Sequence, residues 1–459
     1  MAVSGPTFDP ITTATGLAEQ YVSAQRQILA SQTSRTSSTQ KGLTDLSAAL
    51  SAFQTRLSGL TGLNQSMFAQ SAVFSDTSLG TASAGPSAAA GSYAFVVERL
   101  ATASQVSYSN LPGTPVAGSG KLTIRSGAAS FDIDIAAADT DNDQSVSVRE
   151  LAAAINGATG NTTLVSASVV TVGSSTQLVL TSKKTGIANA AKLETAGLTD
   201  PGLKTALTTP ANTKEIMAAQ DALVWLGAQG TGTRIEQPSN TVEVIDGVKM
   251  TFTKASTQPV TLTVGADSGA TTANVQGFVD AYNKLKGVLD TMVASADPKT
   301  GSGGGAFAGD SGIKALRDKL DSLLRPGNGA SLASYGITAN RQGTLTLDTT
   351  RLNKGLALDP NGLDKLLGST ASGKQSGIAA ALDKYIKGWT SAADGQIKTR
   401  KDAASKMQLQ LTARQDTIDK QYESAYNRYL AQFTQLQNIQ SQMSSNTSMF
   451  DALFSSDKN

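Results

Sequence analysis

The stretch LTDLSAALSAFQTRLSGL (43–60) determines the architecture of one end of the chain, because its apolar residues recur in alternating steps of three and four. That spacing places them on a single face of an α-helix, in the heptad pattern of a coiled-coil seam. Polar residues fill the other faces. The predicted seam consists of Leu43, Leu46, Leu50, Phe53, Leu57 and Leu60.

The other end of the chain carries a matching pattern. No glycine or proline follows Gly395, so a helix over 396–444 would be uninterrupted. Such a helix would be about 70 Å long and would need a partner helix along its length. We expect its inner part, 396–425, to pair antiparallel with 43–67. Its predicted seam, in alternating steps of four and three, is Tyr422, Tyr426, Tyr429, Phe433 and Leu436.

The two outermost segments are rich in Ser, Gln and Asn and poor in charge, with only scattered apolar residues. A segment of this composition cannot bury enough apolar surface to fold alone, but it can fold against copies of itself. We therefore predict terminal leg segments at 1–42 and 425–459, which are disordered or become helical on assembly.

Between the helical ends the hydrophobic period changes to two. Runs such as SYAFVVERLA (92–101) and TVEVIDGVKMTFTKA (241–255) are typical of half-buried antiparallel strands. Strands near both ends of this region, inside the helical termini, favour a nested arrangement in which one β domain is inserted in the helical stalk and a second β domain is inserted in the first. The predicted fold class is therefore α+β multidomain, with a helical coiled-coil stalk formed by both termini and nested, inserted antiparallel β-rich head domains. Besides the leg segments, the predicted domains are a helical stalk domain at 43–80 and 270–424, a first β head domain at 81–114 and 236–269, and a second, inserted β head domain at 115–235.

The composition excludes several classes of function. The 459 residues include no Cys and no His, so disulfides, zinc sites of the usual ligand types and His-dependent catalytic triads are excluded. The formal charge of +2 is too small for a nucleic-acid-binding protein. The loop GSGGGAFAG (301–309) lacks the Lys-Ser/Thr ending of a phosphate-binding loop. We therefore expect no enzymatic activity, no catalytic residue, no organic cofactor and no nucleic-acid partner.

The sequence also bears on where the protein acts. No run of about 18 apolar residues is present, so no membrane span is predicted. The opening MAVSGPTFDPITT has neither the basic nor the apolar region of a secretory signal. Because the low charge and the abundant Ser and Thr are typical of secreted surface proteins, the chain is either cytoplasmic or exported without a cleavable signal peptide.

The stretch DTDNDQSVSVRE (139–150) has two interpretations. Gln144 stands where a twelve-residue calcium loop has glycine for its sharp turn, which counts against calcium. SVRE (147–150) is a capping box that would begin a helix, and we expect this role while keeping calcium as a candidate ligand. The residues with the spacing of calcium ligands are Asp139, Asp141, Asp143, Ser145 and Glu150.

Several blocks resemble the flagellar filament cap proteins, the flagellar hook-associated protein 2 family. GSYAFVVERLATASQV (91–106) resembles the opening β segment of that family. SNTVEVIDGVKMTFTKAS (239–256) and FVDAYNKLKGVLDTM (278–292) resemble its return to the stalk, and ASYGITANRQGTLTLDTTRLNKGL (333–356) resembles a later turn and strand. The resemblance covers nearly the whole chain, although PTFDPITTATGLAEQYVSAQ (6–25) departs from it.

The resemblance implies an extracellular structural protein at the distal tip of the bacterial flagellar filament, exported by the flagellar type III apparatus. It implies a homo-oligomeric ring that promotes the folding and insertion of flagellin subunits, with junction proteins at the hook as further partners. An export chaperone would bind the C-terminal helix. The predicted chaperone and assembly segment contains Ile439, Met443, Met449, Phe450, Leu453 and Phe454.

Two alternatives stay open at this point. Flagellin and hook–filament junction proteins are also axial proteins with heptad-patterned helical termini. A surface adhesin could instead use the β head to bind host surface glycans, with Trp225 in DALVWLG (221–227) as a stacking platform, although an apolar strand favours a core position for this tryptophan.

Overall fold

The computed structural model describes residues 9–297, 299, 303–325 and 331–455, and the side chains of these residues except 451 and 453–455. The chain divides into two compact units, a helical unit from 1–63 and 272–459 and a β-rich unit from 64–271. The β-rich unit is thus inserted between the helical termini, which confirms the predicted α+β multidomain fold.

Long helices make up most of the helical unit, and shorter ones lie in the inserted unit. In the part of the chain that the structure describes, no helix is both long enough and apolar enough to cross a membrane. The helices are α1 (Pro10–Thr61), α2 (Val148–Gly157), α3 (Pro201–Thr208), α4 (Ser268–Val293), α5 (Ser311–Leu323), α6 (Thr349–Leu358), α7 (Gly362–Leu367), α8 (Gly377–Thr390) and α9 (Gln396–Ser455).

Helix α1 is continuous over 52 residues, and Asp9 and Pro10 define its start. The Asp9 carboxylate accepts the backbone N–H groups of Ile11 and Thr12 at 3.2 and 3.1 Å. Pro10 occupies the first helical position, where a missing N–H costs nothing. The predicted boundary between a leg and a stalk at residue 42 is therefore not an interruption of the helix.

All six predicted seam residues of α1 are buried, with at most 4% of their surface exposed. For Phe53 the partner helix is not the predicted one. Phe53 packs against Phe278 and Tyr282 of α4, with ring centroids 6.4 and 6.3 Å away. The predicted antiparallel pairing of 43–67 with 396–425 is therefore displaced along α1: Leu43 lies beside Ala403 and Ala404 of α9, but Arg26, far outside the predicted range, pairs with Asp419. A heptad stripe identifies the buried face of a helix and not the helix that covers it.

The strands of the inserted unit pair antiparallel. Two short strands, β18 and β19, form a hairpin in the helical unit. The strands are β1 (Gln70–Phe74), β2 (Gly80–Ala84), β3 (Gly91–Arg99), β4 (Gln105–Tyr108), β5 (Thr114–Pro115), β6 (Lys121–Ser126), β7 (Ala129–Asp134), β8 (Ser145–Val146), β9 (Val165–Val172), β10 (Ser175–Ser182), β11 (Ala191–Glu194), β12 (Thr213–Met217), β13 (Ala222–Leu226), β14 (Thr233–Gln237), β15 (Thr241–Ile245), β16 (Val248–Phe252), β17 (Val260–Ala266), β18 (Ile337–Ala339) and β19 (Leu345–Leu347).

The first β domain takes strands from both ends of the inserted unit. Its five-stranded sheet has the order β1-β17-β3-β13-β14, and its three-stranded sheet has the order β15-β16-β2. Inward-facing side chains, among them Phe95, Phe252 and Leu262, share one core. The predicted limits are corrected here, because β1 extends this domain below residue 81 and β13 and β14 return to it before residue 235.

The second β domain runs from β4 to β12. A four-stranded sheet of order β12-β4-β10-β9 and a three-stranded sheet of order β11-β6-β7 contribute to one core with α2. The hairpin between β9 and β10 turns through Gly173, whose φ of 63° suits a tight two-residue turn.

Candidate functional site

The outer part of α1 and the long helix α9 form an antiparallel pair. Arg26 of α1 is ion-paired with Asp419 of α9 at 3.2 Å. Arg414 of α9 donates a hydrogen bond to Gln32 of α1 at 3.5 Å. Because Gln32 follows Arg26 whereas Arg414 precedes Asp419, the two helices run in opposite directions.

The seam of this pair is narrow. Val22 and Leu29 of α1 form one buried cluster with Leu411 and Ile418 of α9. Along α9 the buried side chains recur only once in every seven residues, so each heptad contributes a single fully covered side chain. These buried residues, none more than 8% exposed, are Ile397, Ala404, Leu411, Ile418 and Ala425.

The predicted C-terminal seam residues flank this buried line. Tyr422, Tyr426, Tyr429 and Phe433 are half-buried, and Leu436 is 42% exposed. The guanidinium of Arg26 lies 5.0 Å above the ring of Tyr422, and that of Arg428 lies 4.9 Å from the ring of Tyr429. Tyr422 packs against the buried cluster of Val22, Leu29, Leu411 and Ile418, at the side of the seam. The role of these aromatic residues in contacts between chains stays a prediction.

The C-terminal part of α9 presents an uncovered apolar surface. Every side chain from 434 to 450 is exposed. Leu453 and Phe454, which belong to the predicted segment, lie outside the residues whose side chains the structure describes. Because exposed apolar side chains grouped in this way mark interaction surfaces, this helix end is the strongest candidate for a site of assembly. The exposed set is Leu436, Ile439, Met443, Met449 and Phe450, with 42–64% of each surface exposed.

Arg400 fastens the beginning of α9 to the helical unit. Its guanidinium donates to both carboxylate oxygens of Asp310, the residue that caps α5, and lies 5.6 Å from the ring of Trp389. Burial acts to raise the pKa of Asp310, but the hydrogen bonds from Arg400 and from the backbone N–H of Ile313 outweigh it and lower that pKa. The arrangement fixes the point where the helix pair begins.

In the β-rich unit, Glu150 organises the loop before α2. Its Oε2 accepts the backbone N–H of Ser147 at 2.9 Å, and its Oε1 accepts that of Thr140 at 2.8 Å. The Ser147 hydroxyl accepts the Glu150 N–H at 3.3 Å, so the predicted capping box is confirmed. The bonds from Ser147 and then Thr140 lower the pKa of Glu150 from 4.5 to about 2.

The predicted set of calcium ligands is only partly assembled. Carboxylate oxygens of Asp139, Asp141 and Asp143 lie within 4.8 Å of one another, but Glu150 is not in this group. The predicted five-ligand site is therefore not supported, because both oxygens of Glu150 accept hydrogen bonds from the loop. The N–H of Asp143 acts to lower the pKa of Asp141, but burial and repulsion by the neighbouring carboxylates raise it.

The apolar strand around Trp225 predicts a core position, but this residue is half-buried. Its indole N–H donates to Glu98 Oε2 at 2.8 Å across the sheet of the first β domain. A polar partner for the ring nitrogen is what a tryptophan at the edge of a core requires.

The paired long helices, the uncovered apolar helix end and the inserted β domains are the architecture of a structural protein. Comparison with known proteins identifies the family. The model of the flagellar hook-associated protein 2 N-terminus matches residues 12–104, and that of the C-terminus matches residues 219–445. The chain belongs to the flagellar hook-associated protein 2 family and is a flagellar filament cap protein.

Individual relatives agree with this assignment. The lateral flagellar hook-associated protein 2 of Vibrio parahaemolyticus is 34% identical over 382 residues, covering 81% of this chain and 83% of the relative. The flagellar hook-associated protein 2 of Escherichia coli is 28% identical, and the match covers 90% of this chain and 89% of the relative. The crystal structure of the flagellar cap protein FliD from Escherichia coli matches 79% of this chain and 99% of its own, with a TM-score of 0.61 and 26% identity. Flagellin, junction proteins and adhesins are not favoured.

The two family models leave a gap that has a structural meaning. Residues 105–218 lie between the matched segments, and they coincide with the second β domain, from β4 to β12. The aspartate loop lies in this domain. The matches of the two family models thus rest on the helical unit and the first β domain.

Proposed function

We propose that copies of this chain form a small ring at the distal end of the filament, where flagellin subunits fold and insert beneath it. The contacts between copies are made by the C-terminal part of α9. The observation that carries this proposal is the row of exposed apolar side chains, because a monomer gains nothing by exposing them. Leu436, Ile439, Met443 and Phe450 lie at steps of three, four and seven, and thus share one heptad stripe.

The same segment would serve the protein before assembly. We propose that an export chaperone covers this stripe, because an uncovered apolar helix otherwise associates prematurely. The chain then leaves the cell through the flagellar export apparatus, without a cleavable signal peptide. Junction proteins at the hook would be its first neighbours outside the cell. The proposed mechanism is steric, with no catalytic step and no cofactor.

A purified-protein experiment tests the ring. Light scattering gives the mass of the full chain in solution, and electron microscopy shows the ends of filaments to which it is added. We expect small oligomers and capped ends for the natural protein, and monomers without capped ends for the triple variant Ile439→Ser, Met443→Ser and Phe450→Ser. The control carries Gln437→Ser and Asn438→Ser, which lie off the stripe and leave it intact.

Two results would contradict the proposal. The first is normal capping by the triple variant, which would remove the helix end from the mechanism. The second is growth of the purified chain into long filaments, which is the behaviour of a filament subunit.

Binding of host surface glycans near Trp225 is a separate proposal, supported by the half-exposed indole beside Glu98. A Trp225→Ala variant on a glycan array tests it.

A further inference from the structure

The four-stranded sheet of the second β domain ends in two strands, β9 and β12, that no other strand covers in the part of the chain described. Uncovered edges present unpaired backbone N–H and C=O groups, which can pair with another chain. Natural proteins usually protect such edges with charges, prolines or capping side chains.

One half of the β9 edge is protected. The side chain of Asn156 donates to the backbone oxygen of Ala167 at 2.7 Å and accepts its N–H at 2.9 Å. Asn161 accepts the N–H of Val165 at 2.9 Å. Two asparagines of the α2 region thus replace the hydrogen bonds of a missing strand at these two positions.

The other half of the β9 edge is open. The N–H of Lys183, which follows β10, donates to the backbone oxygen of Leu164. In an antiparallel pair every second residue directs its backbone N–H and C=O toward the partner strand. The backbone groups that point away from β10 are therefore those of Val165, Ala167, Val169 and Thr171. No side chain among the described residues caps Val169 or Thr171. The protection therefore stops halfway along the strand.

This open half is also apolar. Val170 is 42% exposed and Val172 is 61% exposed. The sequence contains no charged residue from 151 to 182, so nothing on this hairpin repels an approaching strand. An uncharged, β-branched and uncapped strand end is suited to burial against a partner strand.

The opposite edge of the same sheet is also exposed, but it differs from β9 in carrying Lys214, Glu215 and a β-bulge between Glu215 and Met217. All five residues of β12 are exposed, and Ile216 and Met217 have 51% and 50% of their surface exposed. Ser109 donates its N–H to Asn212 O, so Thr213 and Glu215 direct their backbone groups away from β4. The chain thus carries two open edges with exposed apolar residues on one sheet.

The strand directions allow these edges to meet. Successive strands β12, β4, β10 and β9 are antiparallel, so β12 of a second copy in the same orientation continues the alternation beside β9. A β9–β9 contact would instead require an inverted copy. Contacts between two different surfaces of identical chains form a ring where the rotation between neighbours closes and an open filament where it does not, whereas an inverted pair stops at a dimer.

We propose that neighbouring copies pair the open half of β9 with β12 of the next copy, so that their sheets join edge to edge. Val169 and Thr171 then exchange backbone hydrogen bonds with Glu215 and Thr213, and Val170 and Val172 lose their exposure. This interface rests on the proposed ring, and it gives the second β domain a role in ring closure that is distinct from that of α9.

Cysteine crosslinking tests the pairing directly, because the natural chain has no cysteine. Within one chain β9 and β12 are three strand spacings apart, about 14 Å, and a disulfide needs Cα atoms within about 7 Å. A bond between Thr171→Cys and Thr213→Cys can therefore form only between copies. Each substitution is placed in a separate full-length chain, and the two chains are mixed under mild oxidation.

We expect a disulfide-linked dimer from the mixture and at most traces from either variant alone. A dimer from Thr171→Cys alone would show β9–β9 contact and overturn the proposal. Light scattering on the same samples separates the two claims. Oligomers without the mixed crosslink contradict the strand pairing and leave the ring standing, whereas monomers at every concentration contradict both.

A second pair of variants measures the effect on assembly. Val170→Lys with Val172→Lys places charges on the open half, and we expect the concentration needed for ring formation to rise at least about tenfold. Ser166→Lys with Ser168→Lys is the matched control, because these exposed residues lie on the same face in the capped half. Equal assembly of both double variants would overturn the proposal.

Discussion

Gly42 of α1 lies directly against the buried ring of Phe307. A Cβ atom at position 42 would stand 2.8 Å from Cε2 of that ring and 3.1 Å from Cβ of Ala306. Phe307 is only 5% exposed, so the ring has little room to move. The glycine does not begin or end a helix here, and it allows an aromatic ring to approach the helix backbone.

Gly42→Ala is therefore expected to destabilise the helical unit. In an open helix this substitution stabilises by about 1 kcal/mol, but overpacking costs about 1–3 kcal/mol. We expect a net loss of roughly 1 kcal/mol in the free energy of unfolding, measured by urea denaturation. Gly59→Ala in the same helix meets nothing within 4 Å and should be stabilising. An equal gain from both variants would contradict the packing described.

The position of the seam in α9 makes a second prediction. Ile418 is 2% exposed, whereas Leu436 is 42% exposed. Ile418→Ala should lower the free energy of unfolding of the monomer by about 2 kcal/mol, and Leu436→Ala should change it by less than about 0.5 kcal/mol. Circular dichroism at a concentration where the protein is monomeric provides the measurement. A larger loss in the free energy of unfolding from Leu436→Ala than from Ile418→Ala would contradict this assignment and support the stripe from Tyr422 to Leu436 as the seam.

Glu150 predicts a pH dependence of the second β domain. Its pKa in the folded state is about 2 and its ordinary value is 4.5. Because the folded value is the lower one, its contribution to stability is fully present above pH 4.5 and is lost as the pH falls towards 2. Glu150→Gln, which keeps an acceptor oxygen, should reduce the melting temperature at pH 7 and show a smaller further decrease between pH 4.5 and 2. Parallel pH profiles for the two proteins would exclude this role.

Asp141 should behave in the opposite way. Its pKa is raised, since burial and repulsion by its neighbours outweigh the N–H bond from Asp143. The ionised form is therefore unfavourable in the folded state, and Asp141→Asn should raise the melting temperature at pH 7. The difference should vanish at low pH, where the carboxyl group is protonated in both states. A lower melting temperature at pH 7 for the variant would contradict this electrostatic account.

The helical termini and their apolar faces were predictable because side chains on a helix repeat with a fixed period. Leu43 and Leu50 are buried as expected. The partner of that face was not predictable, since α4 and α9 both offer apolar stripes. In α9 the aromatic spacing from Tyr422 concealed a weaker repeat in which Ala404 and Ala425 occupy buried positions.

The β-rich unit shows a similar division. Alternation predicted its strands, and SVRE (147–150) predicted the start of α2 with its capping box. The return of β13 and β14 to the first sheet depends on pairing with β3, between residues more than 100 positions apart in the chain. Calcium spacing at Asp139 was misleading because Glu150 serves the capping box instead.

The amount of flagellin in the culture medium of a motile strain tests the central claim most directly. The only copy of the gene would encode Ile439→Ser, Met443→Ser and Phe450→Ser, with Gln437→Ser and Asn438→Ser as the control. If the exposed stripe of α9 assembles the cap, the triple variant should release unpolymerised flagellin and form no filaments, while the variant cap protein itself is still found in the medium. Filaments of normal length with no free flagellin would contradict the account.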